Sequence, residues 1–175
     1  PRFLTPSKKL RRFDCVIANP PFSMRNWGFS DWIKGDRYGR SEFGVPPKSY
    51  GDMAFLMHML CSLKTNGRMG VVLPNGVLFR SGREASIRKK IIDSDWIDSV
   101  VALGPNLFYG AAIPATVLFL NKKKPKERRG EILMINAEKE LVERPQQSFL
   151  SEQNLEKILN VMEHRLELPQ FSRRV

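Results

Sequence analysis

The residues best suited to chemistry are Asn19-Pro20-Pro21-Phe22. They follow Phe13-Asp14-Cys15-Val16-Ile17-Ala18, a nearly continuous apolar run that reads as a buried parallel strand stopped abruptly by the prolines. In an open α/β sheet, ligands bind beyond the carboxyl ends of the strands, and these four residues stand there. Two prolines fix the backbone, so the Pro20 carbonyl points outward beside the Asn19 side-chain carbonyl. The two oxygens can accept both hydrogens of one exocyclic amine, and Phe22 offers a flat apolar face to an aromatic ring. The lone pair of such an amine is delocalised into its ring. Two acceptors pulling on the N–H bonds favour a pyramidal nitrogen whose lone pair can attack a methyl donor. The assistance is electrostatic pre-organisation rather than proton removal by a strong base. A purely structural Pro-Pro turn is the competing reading, and the apolar run in front of it weighs against that.

The rest of the sequence supplies elements to hold this turn. Residues 23–49 show no sustained period and read as one long loop, a length that is usually functional. Met53, Leu56, Met57 and Leu60 fall on one face of a helix over 52–64, which Asn66-Gly67 should stop. A second buried strand follows over 69–73. Ser81-Gly82-Arg83-Glu84 fits a capping box opening a helix to about Ile92. Strands are expected over 96–103 and 115–120, joined as an antiparallel hairpin, then over 131–136. Ser151 should cap a last helix to about Glu163. Strands alternating with helices imply an α/β domain with a mostly parallel sheet. We expect residues 1–145 to form one unit and residues 146–175 a helical extension.

A chain of 175 residues can bury a real core, and its composition is ordinary for a globular protein. No apolar run is long enough to span a membrane and no signal peptide opens the chain. The first residue, Pro1, suggests a fragment or a processed end. Cys15 and Cys61 are too few for a disulfide framework, and both should be buried small hydrophobes in a reducing, cytoplasmic setting. Neither His58 nor His164 has neighbours at metal-ligand spacing, so no metal site is expected. Trp27 and Trp32 either pack the long loop or meet a ligand there. The net charge of +11 suits a polyanion, with basic residues clustered at Lys8, Lys9, Arg11 and Arg12 and again at Lys122, Lys123, Lys124, Lys126, Arg128 and Arg129. A solvated basic surface is the plainer alternative.

Phe-Asp-Cys-Val-Ile-Ala-Asn-Pro-Pro-Phe resembles the catalytic segment of adenine-N6 DNA methyltransferases. Gly51-Asp52-Met53-Ala54-Phe55, the stretch from Gly67 to Arg80 containing Leu-Pro-Asn-Gly-Val-Leu-Phe-Arg, Ser81 to Glu84, Ile87-Arg88, Asn106-Leu107-Phe108-Tyr109 and Phe171 to Val175 are similar to the modification subunits of type I restriction-modification systems. The resemblance implies the C-terminal half of an AdoMet-dependent, Rossmann-like methyltransferase fold whose last strand is antiparallel. It implies methylation of adenine N6 in double-stranded DNA, with the target base flipped out of the helix. Asn19, Pro20 and Phe22 carry over as catalytic and base-stacking residues. Pro21 and Phe108 fall on the substrate side, Phe108 as a second wall for the base or else a core aromatic, and Asn19 also borders the cofactor. Implied partners are a specificity subunit, a second modification subunit and a restriction/translocase subunit, with no membrane.

The sequence departs from that family at one point. Members carry a glycine-rich AdoMet loop ahead of the Asn-Pro-Pro-Phe strand, whereas no Gly-x-Gly occurs here. The chain by itself is therefore expected to be inactive. Two other readings compete: a related enzyme methylating guanine in RNA or glutamine in protein, and a non-catalytic DNA-binding or assembly module.

Overall fold

Successive apolar strand residues such as Val100 and Val101 point to opposite faces and need cover on both, and the chain provides it with helices on each face of one mixed sheet. The computed structural model describes residues 3–109 and 112–175. In chain order the elements are β1 (Phe13–Ala18), α1 (Phe29–Lys34), α2 (Asp52–Cys61), β2 (Leu63–Pro74), α3 (Arg83–Asp93), β3 (Ile97–Leu103), β4 (Ala115–Asn121), β5 (Leu133–Ala137), α4 (Glu152–His164) and β6 (Ser172–Arg174). Among the described residues six strands form one sheet, ordered β1-β2-β4-β3-β5-β6. β1 runs parallel to β2, and β3 to β5. β4 is antiparallel to both its neighbours, so the expected hairpin is present, and β6 is antiparallel to β5.

The register separates the two faces. Met69, Val71, Leu73, Val100, Leu118 and Leu120 pack with Met53, Leu56, Met57 and Leu60 of α2 and with Ile87 and Ile91 of α3. Their neighbours Val101 and Leu103, with Leu133, Ile135 and Ala137, point the other way and meet Ile158 and Val161 of α4. α4 starts where the sequence says it should: the Ser151 hydroxyl accepts from the Asn154 N–H, and the Asn154 side chain accepts from the Ser151 N–H. That satisfies amides the first turn would otherwise leave unpaired.

Four expectations change. Among the described residues β1 lies at the edge of the sheet and is not buried: Cys15 is exposed and Ile17 is 84% exposed, because the face they share with Gly70 and Val72 stands open, with Met162 of α4 at its border. Cys15 is therefore no core residue, while the half-buried Cys61 thiol donates to Gly39 O at 3.2 Å. Asn66-Gly67 does not end a helix. α2 ends at Cys61, and β2 absorbs those residues through an irregular pairing between Phe13 and Cys15. The Ser81–Glu84 capping box is not formed. α3 begins after Gly82 with no side-chain cap, and Glu84 turns toward Arg80 instead. The long loop contains α1, and Trp32, buried at 6% exposure, meets Trp27 edge to face at 5.3 Å, so both indoles pack the loop.

The basic turn after β4 lies at the opposite end of the sheet from Asn19. β4 enters at Ala115 beside Pro74 and leaves at Asn121 beside Arg68, a run of about 20 Å at a strand's rise per residue. Three of its six cations are engaged internally. Lys122 donates to Leu60 O at 2.8 Å and lies over the Trp96 ring, and burial pulls its pKa down. Lys124, 4% exposed, donates to Asp95 Oδ1 at 2.6 Å and Glu131 O at 2.8 Å. Arg128 faces Asp98 at 3.7 Å. Lys123, Lys126 and Arg129 remain exposed. Replacing those three with Gln is expected to leave folding stability within about 0.5 kcal/mol, as for exposed side chains away from buried contacts, measured by thermal unfolding.

Candidate active site

β1 delivers Asn19-Pro20-Pro21-Phe22 at its carboxyl end. Its last residue, Ala18, pairs with Val71, and the next residues leave the sheet where proline can no longer donate to a ladder. Asn19 is exposed and, among the described residues, its side chain meets no hydrogen-bond partner. Pro20 and Phe22 are half-buried and Pro21 is exposed. The structure brings Phe108 to this turn from the β3–β4 connection: the Phe22 and Phe108 rings meet edge to face, with centroids 6.2 Å apart and planes at 66°. Rings in such contact leave no slot between them as they stand. A base would rest on Phe22 with Phe108 as an edge-on wall, or the two rings would part.

Sequence reasoning missed what holds the turn from behind. Ser23, the residue after Phe22, has φ 52°, a left-handed conformation that costs a non-glycine residue roughly 1–2 kcal/mol. Its N–H donates to Asp52 Oδ1 at 2.7 Å. Asp52 opens α2 and is fully buried, and its other oxygen accepts from Arg80 Nη1 at 2.7 Å. Arg80 also reaches Glu84 Oε1 at 3.4 Å and Ser23 Oγ at 3.4 Å, and its guanidinium lies 4.1 Å from the Tyr50 ring centre. Burial pushes the Glu84 carboxyl up; the Arg80 cation opposes this and the Asp52 charge adds to it. The only sequence trace of this cluster was Gly51-Asp52 and the Arg80–Glu84 spacing of four.

The long loop is pinned beside the cluster. Gly51 N donates to Met24 O at 2.9 Å, and a side chain on Gly51 would stand 2.8 Å from Trp27 Cβ. Trp27 Nε1 donates to Pro47 O at 3.2 Å. Asp36 accepts from Arg40 Nε at 2.8 Å, and Arg40 covers the Trp32 ring. No group of three or more His, Cys, Asp or Glu that could hold a metal occurs among the described residues. No helix among them is long and apolar enough to cross a membrane.

A strand ending in Asn-Pro-Pro-Phe, set in this sheet, invites comparison with known proteins. A family model described as N-6 DNA Methylase matches residues 2–175. The chain belongs to that family. Within it, the methylase subunit of the type I restriction enzyme MjaVII from Methanocaldococcus jannaschii is 37% identical over 169 residues, covering 91% of this chain and 29% of the relative. The HindI methylase subunit from Haemophilus influenzae is 35% identical over 136 residues, covering 77% and 30%. The crystal structure of a type I restriction-modification methyltransferase subunit from Streptococcus thermophilus superposes with a TM-score of 0.84 at 35% identity, over 97% of this chain and 35% of that one. This chain thus spans about a third of the length of the relatives it matches, and its mixed sheet is the one expected of the AdoMet-dependent methyltransferase fold.

Proposed function

We propose that the full-length protein transfers a methyl group from AdoMet to N6 of adenine in double-stranded DNA, as the modification subunit of a type I restriction-modification system. This chain contributes the half of the catalytic domain that seats the target base. The observation that carries the reading is the exposed Asn19 carboxamide at the end of β1, with Phe22 and Phe108 beside it, in a chain of this family.

In this reading Asn19 Oδ1 and the Pro20 carbonyl each accept one hydrogen of the adenine amine. The two bonds hold the nitrogen pyramidal and aim its lone pair across the edge of the sheet. Both acceptors are fixed before the base arrives, so little reorganisation is needed during reaction. Phe22 carries the base plane, which offsets part of the cost of unstacking it from the duplex. Pro21 and Phe108 bound the base pocket. AdoMet, when bound, supplies an electrophilic methyl. Asn19 is the part of its surroundings that this chain provides, since no Gly-x-Gly phosphate- or nucleoside-binding loop occurs here. The partners we propose are a specificity subunit that reads the DNA sequence, a second modification subunit and a restriction/translocase subunit, acting in the cytoplasm.

Isothermal titration of this chain alone with AdoMet is expected to show little or no binding, and micromolar affinity would contradict the division of labour proposed. The function itself is tested by tritium transfer from labelled AdoMet to unmethylated DNA, using the full-length protein with its specificity subunit. Identification of the labelled base by mass spectrometry should give N6-methyladenine. Label on RNA or protein instead would redirect the assignment within methyl transfer, and no label anywhere would favour an assembly role.

A further inference from the structure

We propose that Asp52 is a positioning residue for the base seat, clamping the Asn-Pro-Pro-Phe turn through the Ser23 amide with Arg80 as its brace. The inference rests on the function proposed above.

Three observations distinguish a clamp from an ordinary buried ion pair. Asp52 and Glu84 each lie in the first turn of a helix, where acids commonly pair with free amides or the helix dipole. Neither helix has a side-chain cap. Both carboxylates turn instead toward Arg80, and Asp52 also toward Ser23. For Asp52 the usual local use is forgone for bonds to segments 28 and 29 residues away, while Glu84 reaches Arg80 four residues back.

Next, the bonds end on a residue that is itself conformationally constrained. Ser23 is left-handed at φ 52°. In that conformation its N–H points back at Asp52, so the carboxylate fixes the direction in which the chain leaves Phe22. A turn free to relax to right-handed φ would swing Phe22 and, through it, the contact with Phe108. Finally, burying a carboxylate that is 0% exposed is unfavourable unless its oxygens are hydrogen-bonded and its charge is paired. Both Asp52 oxygens are used, one by Ser23 N–H and one by Arg80 Nη1–H, each at 2.7 Å. An apolar contact at the same place would fill the space without orienting anything.

The two-donor geometry gives a sharp test. A carboxamide offers one acceptor oxygen, so Asp52→Asn keeps the shape but cannot serve both Ser23 and Arg80. The full-length protein, wild type and Asp52→Asn, should be compared by steady-state methylation of DNA and by amide hydrogen exchange. Asp52→Asn is expected to lower kcat on the order of 10–100-fold with KM for DNA and AdoMet little changed, as for a misplaced reacting group. Exchange should quicken in residues 19–24 while the β2–β4–β3 amides stay protected. Should Asp52→Asn quicken exchange across the whole sheet, Ser23→Gly provides the second measurement. Glycine adopts φ 52° freely and keeps the amide donor, so it should retain most of kcat, whereas Ser23→Pro, which has no N–H and cannot reach that φ, should lose kcat as Asp52→Asn does.

Unchanged kcat and unchanged exchange in Asp52→Asn would overturn the clamp. So would a rise in KM alone, or equal kcat for Ser23→Gly and Ser23→Pro. If wild-type protein labels no DNA, the proposed function falls. The exchange comparison in the same samples then still decides whether Asp52 holds the turn.

Discussion

Under the function proposed, replacing Asn19 with Ala in the full-length protein is expected to reduce methyl transfer to DNA by about 10²–10³-fold, the usual loss when one pre-oriented hydrogen-bonding group is removed from a reacting centre. The Asn19 side chain is exposed and, among the described residues, bonds to nothing, so folding should be unaffected within about 0.5 kcal/mol, as for an ordinary surface change. The Pro20 carbonyl stays in place and accounts for the residual rate. DNA affinity should change little, because one lost bond to a single flipped base is small beside the phosphate contacts that dominate binding. The discriminating measurement is single-turnover methylation beside thermal unfolding and DNA binding on the same preparation. A variant that folds, binds DNA and methylates at the wild-type rate would remove Asn19 from the reaction.

The place of Asn19 at the end of a strand was legible from the sequence because its signals are local. A short apolar run ending in two prolines dictates both a strand and the place where it stops, and the parallel pairing with β2 follows from the helix between them. The same holds for the β3–β4 hairpin and for the Ser151 cap of α4. What could not be read was set by long-range partners. Asp52 and Glu84 occupy positions where helix capping already explains an acid, so nothing in the sequence shows that both serve Arg80. β1 carries the apolar residues of a covered strand, yet Cys15 and Ile17 stand exposed because cover depends on what packs over that face, not on the strand's own pattern. The cations of residues 122–129 look alike in sequence. Only the fold shows that Lys124 is buried against Asp95 while Lys123 faces solvent.

Gly104→Ala should be among the most damaging single-methyl substitutions in the chain, costing about 1–3 kcal/mol through overpacking. Gly104 is buried at the end of β3, directly before the segment that carries Phe108. A Cβ there would collide with Leu141 Cδ2 and stand 2.5 Å from the Glu138 carbonyl oxygen. Leu141 is a flexible side-chain end, but the carbonyl is not free to yield. Glu140 N closes the same turn on Ala137 O at 3.1 Å, and the Glu140 carboxylate is held by Asn154 and Lys157 of α4. On the other side, the 106–107 backbone is tied to Ser148 N at 3.0 Å and Gln147 Nε2 at 3.1 Å. If the 104–107 side gives way, Phe108 shifts against Phe22. Gly70→Ala is the control. Its Cβ would find Phe119 Cε1 at 3.5 Å, an ordinary contact, and losing a strand glycine should leave stability level or raised by about 0.4–1 kcal/mol. Thermal unfolding of the two variants should therefore move in opposite directions or differ by several degrees, with methylation falling only in Gly104→Ala. Equal midpoints would mean that the 137–141 turn yields freely and would remove the idea that Gly104 keeps Phe108 beside Phe22.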